Sequence, residues 1–144
     1  MKKKKITQTI PLGEANIAIS VCRNIKMILE LDQRDNLEND NAKKTIEKML
    51  LWSMGWGIGA TISTLQIREF QEGLSEIFPA DISPRGSLFE YYFTIGKGEG
   101  EFIAWQDIIP EFNYAVEMSY FELVVPTSDT VCYSWFLEKN ITLL

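Results

Sequence analysis

Three stretches of this 144-residue chain carry residue types that could do chemistry. The first, Gly55-Trp56-Gly57-Ile58-Gly59-Ala60, fits the letters of the dinucleotide-binding pattern G-x-G-x-x-G/A, in which glycines let the backbone approach a pyrophosphate. That pattern needs a strand before the loop and a helix opening at it. Here the preceding TIEKMLLW has helical spacing, and no acidic residue closes a second strand about 20 residues further on. The second stretch, Gly96-Lys97-Gly98, looks like part of a phosphate loop, but no glycine stands five residues before Gly96 and Gly98 replaces the Ser or Thr required after the lysine. The third is the carboxylate pair Glu99 and Glu101 near Trp105. Residues two apart on a strand share a face, but a glycine-rich tip leaves both in water and both ionised. Small residues for close helix packing, a hairpin tip and two solvated acids explain the three stretches without catalysis.

Other chemistries lack their residues. The chain has no histidine, which removes the usual general base, the Ser-His and Cys-His nucleophile pairs and the common zinc ligand. Cys22 and Cys132 are too few and too far apart for a disulfide framework or a metal site, and read as structural thiols of a reducing compartment. The acids of Asp32 to Asn41 (DQRDNLENDN) lack the order of a calcium loop and read as a solvated helix connection.

The elements that would position these residues follow from periodicity. Pro11-Leu12-Gly13 signals a turn, after which Ile17, Val21, Ile25, Ile28 and Leu29 fall on one face of a helix over about Glu14 to Leu31. A second helix has Ile46, Met49, Leu50, Ser53, Gly57 and Ala60 among its apolar positions, with Trp52 and Trp56 supplying burial, and should end near Gly59. Ser63 with Gln66 resembles a capping box for a third helix, whose apolar side is Leu65, Phe70, Leu74, Ile77 and Phe78 and which Pro79 stops. Ser87 to Ile95 and Glu101 to Trp105, joined by Gly96-Lys97-Gly98-Glu99-Gly100, read as a β-hairpin, and an irregular connection follows over Asp107 to Tyr120. Phe121 to Val125 reads as a strand closed by Pro126. Thr127 then caps a helix with Asp129 in its first turn and Val131, Trp135 and Glu138 at helical spacing. Lys139-Asn140 ends that helix, and Ile141 to Leu144 reads as the opening of a buried strand.

The hydrophobic share of 46% fits a folded chain of single-domain length. The net charge of −6 is unevenly placed: Lys2 to Lys5 form a basic tail, whereas Glu69 to Glu122 carry eleven acids against Arg85 and Lys97. Such a surface disfavours nucleic acid and anionic lipid as partners. No apolar leader follows the lysines and no run reaches the roughly 18 apolar residues of a membrane span, so a cytoplasmic location is expected.

The run LVVPTSDTVCYSWFLEKN resembles the approach to the third AAA+ module of dynein heavy chains, where V-P-T-x-D-T-V-R-Y leads through a helix towards the phosphate-binding loop. Val125, Pro126, Thr127, Asp129, Thr130, Val131 and Tyr133 match, and Cys132 stands where the family usually has Arg. A second likeness joins LLWSMGWGIGAT, with Trp52, Ser53, Gly55 and Gly59, to the REFQEGLSEIF helix, similar to the helical lid of the second AAA+ module. The family also has a hairpin here with an aromatic pair and a downstream tryptophan, like Tyr91, Tyr92 and Trp105.

The resemblance implies an α+β chain: a basic tail (1–13), a small helical AAA+ lid bundle (14–79), a β-hairpin extension and connection (80–120), and a strand-helix-strand start of the next module (121–144), truncated before G-x-x-x-x-G-K-S/T. It implies a non-catalytic structural segment of a dynein motor ring, with ATP or ADP and Mg²⁺ belonging to the parent motor and no cofactor or metal to this chain. It further implies an adenine-side contact from the backbones of Val124, Val125, Pro126 and Thr127 in the intact module. The implied partners are the remainder of the ring, with dynein intermediate and light chains as further candidates and microtubules reached only through the parent. The implied place is the cytoskeleton, in a ciliary axoneme. A stand-alone interaction protein derived from such a segment and binding motor subunits is the alternative.

Overall fold

The computed structural model describes residues 6–31, 41–96, 99–112, 119 and 124–142. The lysine tail, loop positions 32–40, the tip residues Lys97 and Gly98, most of the expected connection to Tyr120, the opening of the strand expected at Phe121 and the end of the strand expected from Ile141 lie outside them. Among the described residues four helices and one hairpin make the α+β architecture: α1 (Glu14–Leu31), α2 (Ala42–Gly59), α3 (Ile67–Ser75), β1 (Tyr91–Thr94), β2 (Glu101–Ala104) and α4 (Ser128–Thr142), with short 3-10 turns between them.

α2 is the centre. Against one side lies α1, which buries Met27 and Ile28; against another lies the hairpin with Phe93 and Ile95, and all join one hydrophobic core with Met49, Leu51 and Trp52. A helix packed on several sides is buried nearly all round rather than along one stripe. Hence Leu51, Gly55 and Gly59 are buried beside the expected Met49, Trp52, Ser53 and Gly57, while Ile46 and Ala60, expected to face inward, lie at the exposed surface.

The glycines permit this crowding. A Cβ on Gly57 would stand 2.6 Å from Val21 Cγ2 and 3.0 Å from the Val21 backbone nitrogen, so α1 crosses α2 at a point where no side chain fits. One on Gly59 would meet Phe89 at 2.5 Å and Phe70 at 2.7 Å. α2 continues through all three glycines and ends at Gly59. Packing thus supplies what the local propensity withholds.

Strands β1 and β2 pair antiparallel, Tyr91 opposite Ala104 and Thr94 opposite Glu101. Gly96 and Gly100 have φ of 55° and 59°, which only glycine adopts freely, and they turn the chain at the tip. Lys48 of α2 donates to the Gly100 carbonyl at 2.8 Å and Asn41 donates to the Glu99 carboxylate at 3.2 Å, so the tip is fastened to the start of α2. The extended run from Ser87 is in part a 3-10 turn over Leu88–Glu90, which carries Leu88 into the core against Gly55.

Two local expectations fail for identifiable reasons. Ser63 makes no side-chain cap, and Gln66 Oε1 instead accepts from the Thr7 amide at 3.0 Å and its hydroxyl at 2.8 Å, tying residues 7–9 across the α2–α3 turn beside the Gln8–Ile62 bridge. α3 therefore begins at Ile67 and ends at Ser75, ahead of Pro79, with Phe70 and Leu74 buried but Leu65 and Ile77 exposed. The strand expected at Ile141 is also absent: α4 runs through Thr142. Asn140 Nδ2 donates to the Phe136 carbonyl and Thr142 Oγ1 to the Glu138 carbonyl, so the polar residues bond back onto the helix instead of ending it. Val124 and Val125 have no regular structure.

Gly73, in the exposed part of α3, has nothing within 4 Å of where a Cβ would stand. Gly73→Ala is expected to raise stability by about 0.5–1 kcal/mol through helix propensity and a less flexible unfolded chain, measured by urea unfolding. A loss of stability would mean that α3 is not a helix at Gly73.

Candidate functional site

The candidate site is built where α4 meets α2. Thr127 precedes the first turn of α4: its Oγ1 accepts from the Thr130 amide at 3.2 Å, and Thr130 Oγ1 accepts from the Thr127 amide at 2.7 Å. This reciprocal cap fixes where the helix starts, and Ser128 Oγ adds a bond to Gln106 Oε1 at 2.9 Å that anchors it to the turn after β2. So placed, α4 lays Trp135 and Phe136 on the tryptophans of α2. Phe136 stacks on Trp52 with ring centroids 5.6 Å apart and planes 6° apart, and Trp135 meets Trp52 edge-on at 6.2 Å. Trp105 completes the seam, 5.6 Å from Trp135 and 6.4 Å from Trp56.

Trp52 is wholly buried, and its Nε1 donates to the Tyr91 carbonyl at 2.9 Å, so one residue holds both the aromatic seam and the start of the hairpin. Tyr91 in turn donates through its hydroxyl to the Arg85 carbonyl at 2.8 Å. Ser53 is buried next to α1, where its carbonyl accepts from Asn24 Nδ2. Trp105 is 2% exposed and, like Trp56, has an indole N–H buried without an acceptor among the described residues.

Beside the seam opens a cleft of about 650 Å³, walled by Trp56, Phe89, Tyr91, Trp105 and Tyr133 and reached by Glu90, Ser128, Asp129 and Cys132. Among the described residues no lysine or arginine lines it. The Cys132 thiol, 5% exposed, is pushed up to about 12 by burial and then by the Asp129 charge, so it stays protonated at neutral pH. Its raised value means that folding is undisturbed by this group below about pH 9 and is opposed by it from there to about pH 12, as the unfolded thiol ionises first. Cys22, exposed on α1, is therefore expected to react with iodoacetamide at pH 8 within the time that leaves Cys132 untouched; mass spectrometry of the labelled peptides reads both. Equal labelling would contradict the seating of α4.

The residues singled out from the sequence divide between two places. Trp52, Ser53, Gly55, Gly59, Tyr91 and Trp105 are gathered around α2, and Asp129, Thr130 and Tyr133 stand on the first two turns of α4. Val124, Val125, Pro126 and Thr127 do not line the large cleft; Val124 and Pro126 border a shallower one of about 310 Å³ with Trp135 and Glu138. Glu99 and Glu101 lie at the far tip of the hairpin. Phe136, Phe89 and Glu90 were not singled out; the adjacent Trp135-Phe136 pair was the available signal for the first. Among the described residues no group of three Cys, Asp or Glu is placed to hold a metal ion, and no helix is long and apolar enough to cross a membrane.

A helix pair crossing at glycine, an attached hairpin and an aromatic seam are the features that the comparison with known families must account for. Residues 1–107 match the model of the dynein heavy chain AAA lid domain. The chain belongs to the dynein AAA lid family. The match runs beyond the helices through the hairpin to the turn after Trp105, in keeping with the single core that these elements share. Along nearly its whole length the chain is also similar to axonemal dynein heavy chains. It is 26% identical over 139 residues to dynein axonemal heavy chain 11 of Sus scrofa, a match covering 93% of this chain. It is 22% identical over 142 residues to dynein axonemal heavy chain 9 of Homo sapiens and 25% identical over 146 residues to dynein axonemal heavy chain 6 of Homo sapiens, covering 95% and 94% of the chain. The dynein AAA lid chain spans 3% of the length of each of these relatives.

Proposed function

We propose that this chain is a structural, non-catalytic segment of a dynein heavy chain motor ring, in which the lid of one AAA+ module is joined to the beginning of the next. The observation that carries the reading is the seam: α4, on the far side of the hairpin and its connection, is seated directly on lid helix α2 through Trp135 and Phe136. A shift of either helix must displace the other, because close-packed aromatic rings move as a unit or separate at a cost. In that role the segment passes movement between neighbouring modules while ATP, ADP and Mg²⁺ are handled elsewhere in the parent.

The division into lid (14–79), extension (80–120) and next module (121–144) belongs to the same proposal, as do partners in the remainder of the ring and residence on the axonemal cytoskeleton. The axonemal names of the relatives support that last point. Backbone contact to adenine is proposed for Val124, Val125, Pro126 and Thr127, the last of which donates its amide to Thr130 Oγ1. The chain by itself is expected not to turn over ATP.

Reading the transcript through the codon for Leu144 tests the proposal. The frame is expected to continue into a glycine-rich loop ending in Gly-Lys-Ser or Gly-Lys-Thr; a stop codon at that point in a mature message would overturn it.

A further inference from the structure

We propose that the 650 Å³ cleft beside the seam is a docking site for a polypeptide segment that inserts a lysine or arginine side chain. Two features of the cleft point to that chemistry, and neither depends on the role proposed for the whole chain.

The first is charge. Glu90 and Asp129 reach the cleft, neither carboxylate has a hydrogen-bond or ion-pair partner among the described residues, and no cationic side chain lines it among the described residues. An anionic ligand would meet two carboxylates and no base, so a nucleotide phosphate or an acidic peptide is disfavoured. The N-terminus of α4 does not reverse this, because the Thr127–Thr130 cap takes the Thr130 amide and Asp129 offsets the partial charge of the helix end. A second copy of the chain, with a net charge of −6, is disfavoured as well.

The second feature is the wall. Trp56, Phe89, Tyr91, Trp105 and Tyr133 line one cavity, with Trp56 and Phe89 edge-on at 5.1 Å. Aromatic faces attract a guanidinium or ammonium group and also accept the apolar stem that carries it.

A peptide side chain suits both features at once, its cation meeting the acids and its apolar stem the rings.

The test uses the ¹⁵N-labelled 144-residue chain and three blocked pentapeptides, Ala-Leu-Xaa-Leu-Ala with Arg, citrulline or Glu at the centre. Titration with the arginine peptide is expected to shift the indole cross-peaks of Trp56 and Trp105, with binding at least about tenfold tighter than for the citrulline or glutamate peptide. Glu90→Gln combined with Asp129→Asn, both at exposed positions, is expected to weaken arginine-peptide binding about tenfold while leaving the rest of the spectrum in place. Cys132→Arg, which brings a guanidinium into the cleft from α4 itself, is expected to shift the same indole peaks without peptide and to abolish binding. Equal affinity for the glutamate peptide, an indole shift with MgATP as large as with the arginine peptide, shifts produced by protein concentration alone, or no effect of the Glu90→Gln, Asp129→Asn pair would each overturn the proposal.

Discussion

Trp52→Ala is expected to remove about 4 kcal/mol of stability or more. Trp52 is wholly buried, stacked on Phe136, in contact with Trp56 and Trp135, and bonded through Nε1 to the Tyr91 carbonyl. Truncation of a buried tryptophan costs roughly 3–5 kcal/mol in transfer and cavity energy, and here the Tyr91 carbonyl also loses its donor. For a chain of this length that corresponds to a fall in Tm on the order of 10 °C. Trp52→Phe keeps much of the stacking surface and should cost about half as much, which separates the packing from the hydrogen bond. Urea unfolding followed by far-ultraviolet circular dichroism measures both; a loss below about 1 kcal/mol for Trp52→Ala would show that α4 and the hairpin do not depend on this side chain.

Gly57→Leu is the second large effect. An alanine there would gain about 1 kcal/mol of helix propensity, yet its Cβ would lie 3.0 and 3.1 Å from backbone atoms of Val21, which cannot rotate aside. Leucine adds a side chain that must push α1 bodily away from α2, and a cost of about 3 kcal/mol or more is expected. Gly55→Ala gives the contrast. Its Cβ would meet only Leu88 side-chain atoms, the nearest at 2.2 Å, and the flexible end of a leucine can turn away. The order of destabilisation should therefore be Gly57→Leu, then Gly57→Ala, then Gly55→Ala. If Val21→Ala rescued Gly57→Ala completely, the backbone contact would not be what limits the crossing.

Most of the fold could be read from local pattern. The apolar spacing of Ile17, Val21, Ile25 and Ile28 placed α1 at the residues it occupies, and the glycines between Gly96 and Gly100 placed the hairpin turn. The glycines of α2 were legible as points of close approach because helical spacing before them argued against a nucleotide loop. Where the reading failed, a distant partner decided. Gln66 had the right type and position for a capping box, but Thr7, 59 positions earlier, claims its side chain. Ile141 has a strand former's shape, yet β preference expresses a fit to neighbouring strands, and among the described residues none lies beside it. The cleft was beyond local reading for the same reason: Trp56, Glu90 and Asp129 come from a helix, a turn and another helix.

The aromatic seam also gives the chain an optical property. All four of its tryptophans, at 52, 56, 105 and 135, belong to one connected cluster whose Trp–Trp ring centroids are 5.6–6.4 Å apart. At those separations excitation passes readily between rings, so their fluorescence reports on the cluster as a whole. Because the rings arrive from α2, the turn after β2 and α4, no one of these segments can leave without altering the emission of the rest. Separation of the lid from the helix that follows it would thus be visible in the unlabelled protein as one spectral change, timed directly by stopped flow.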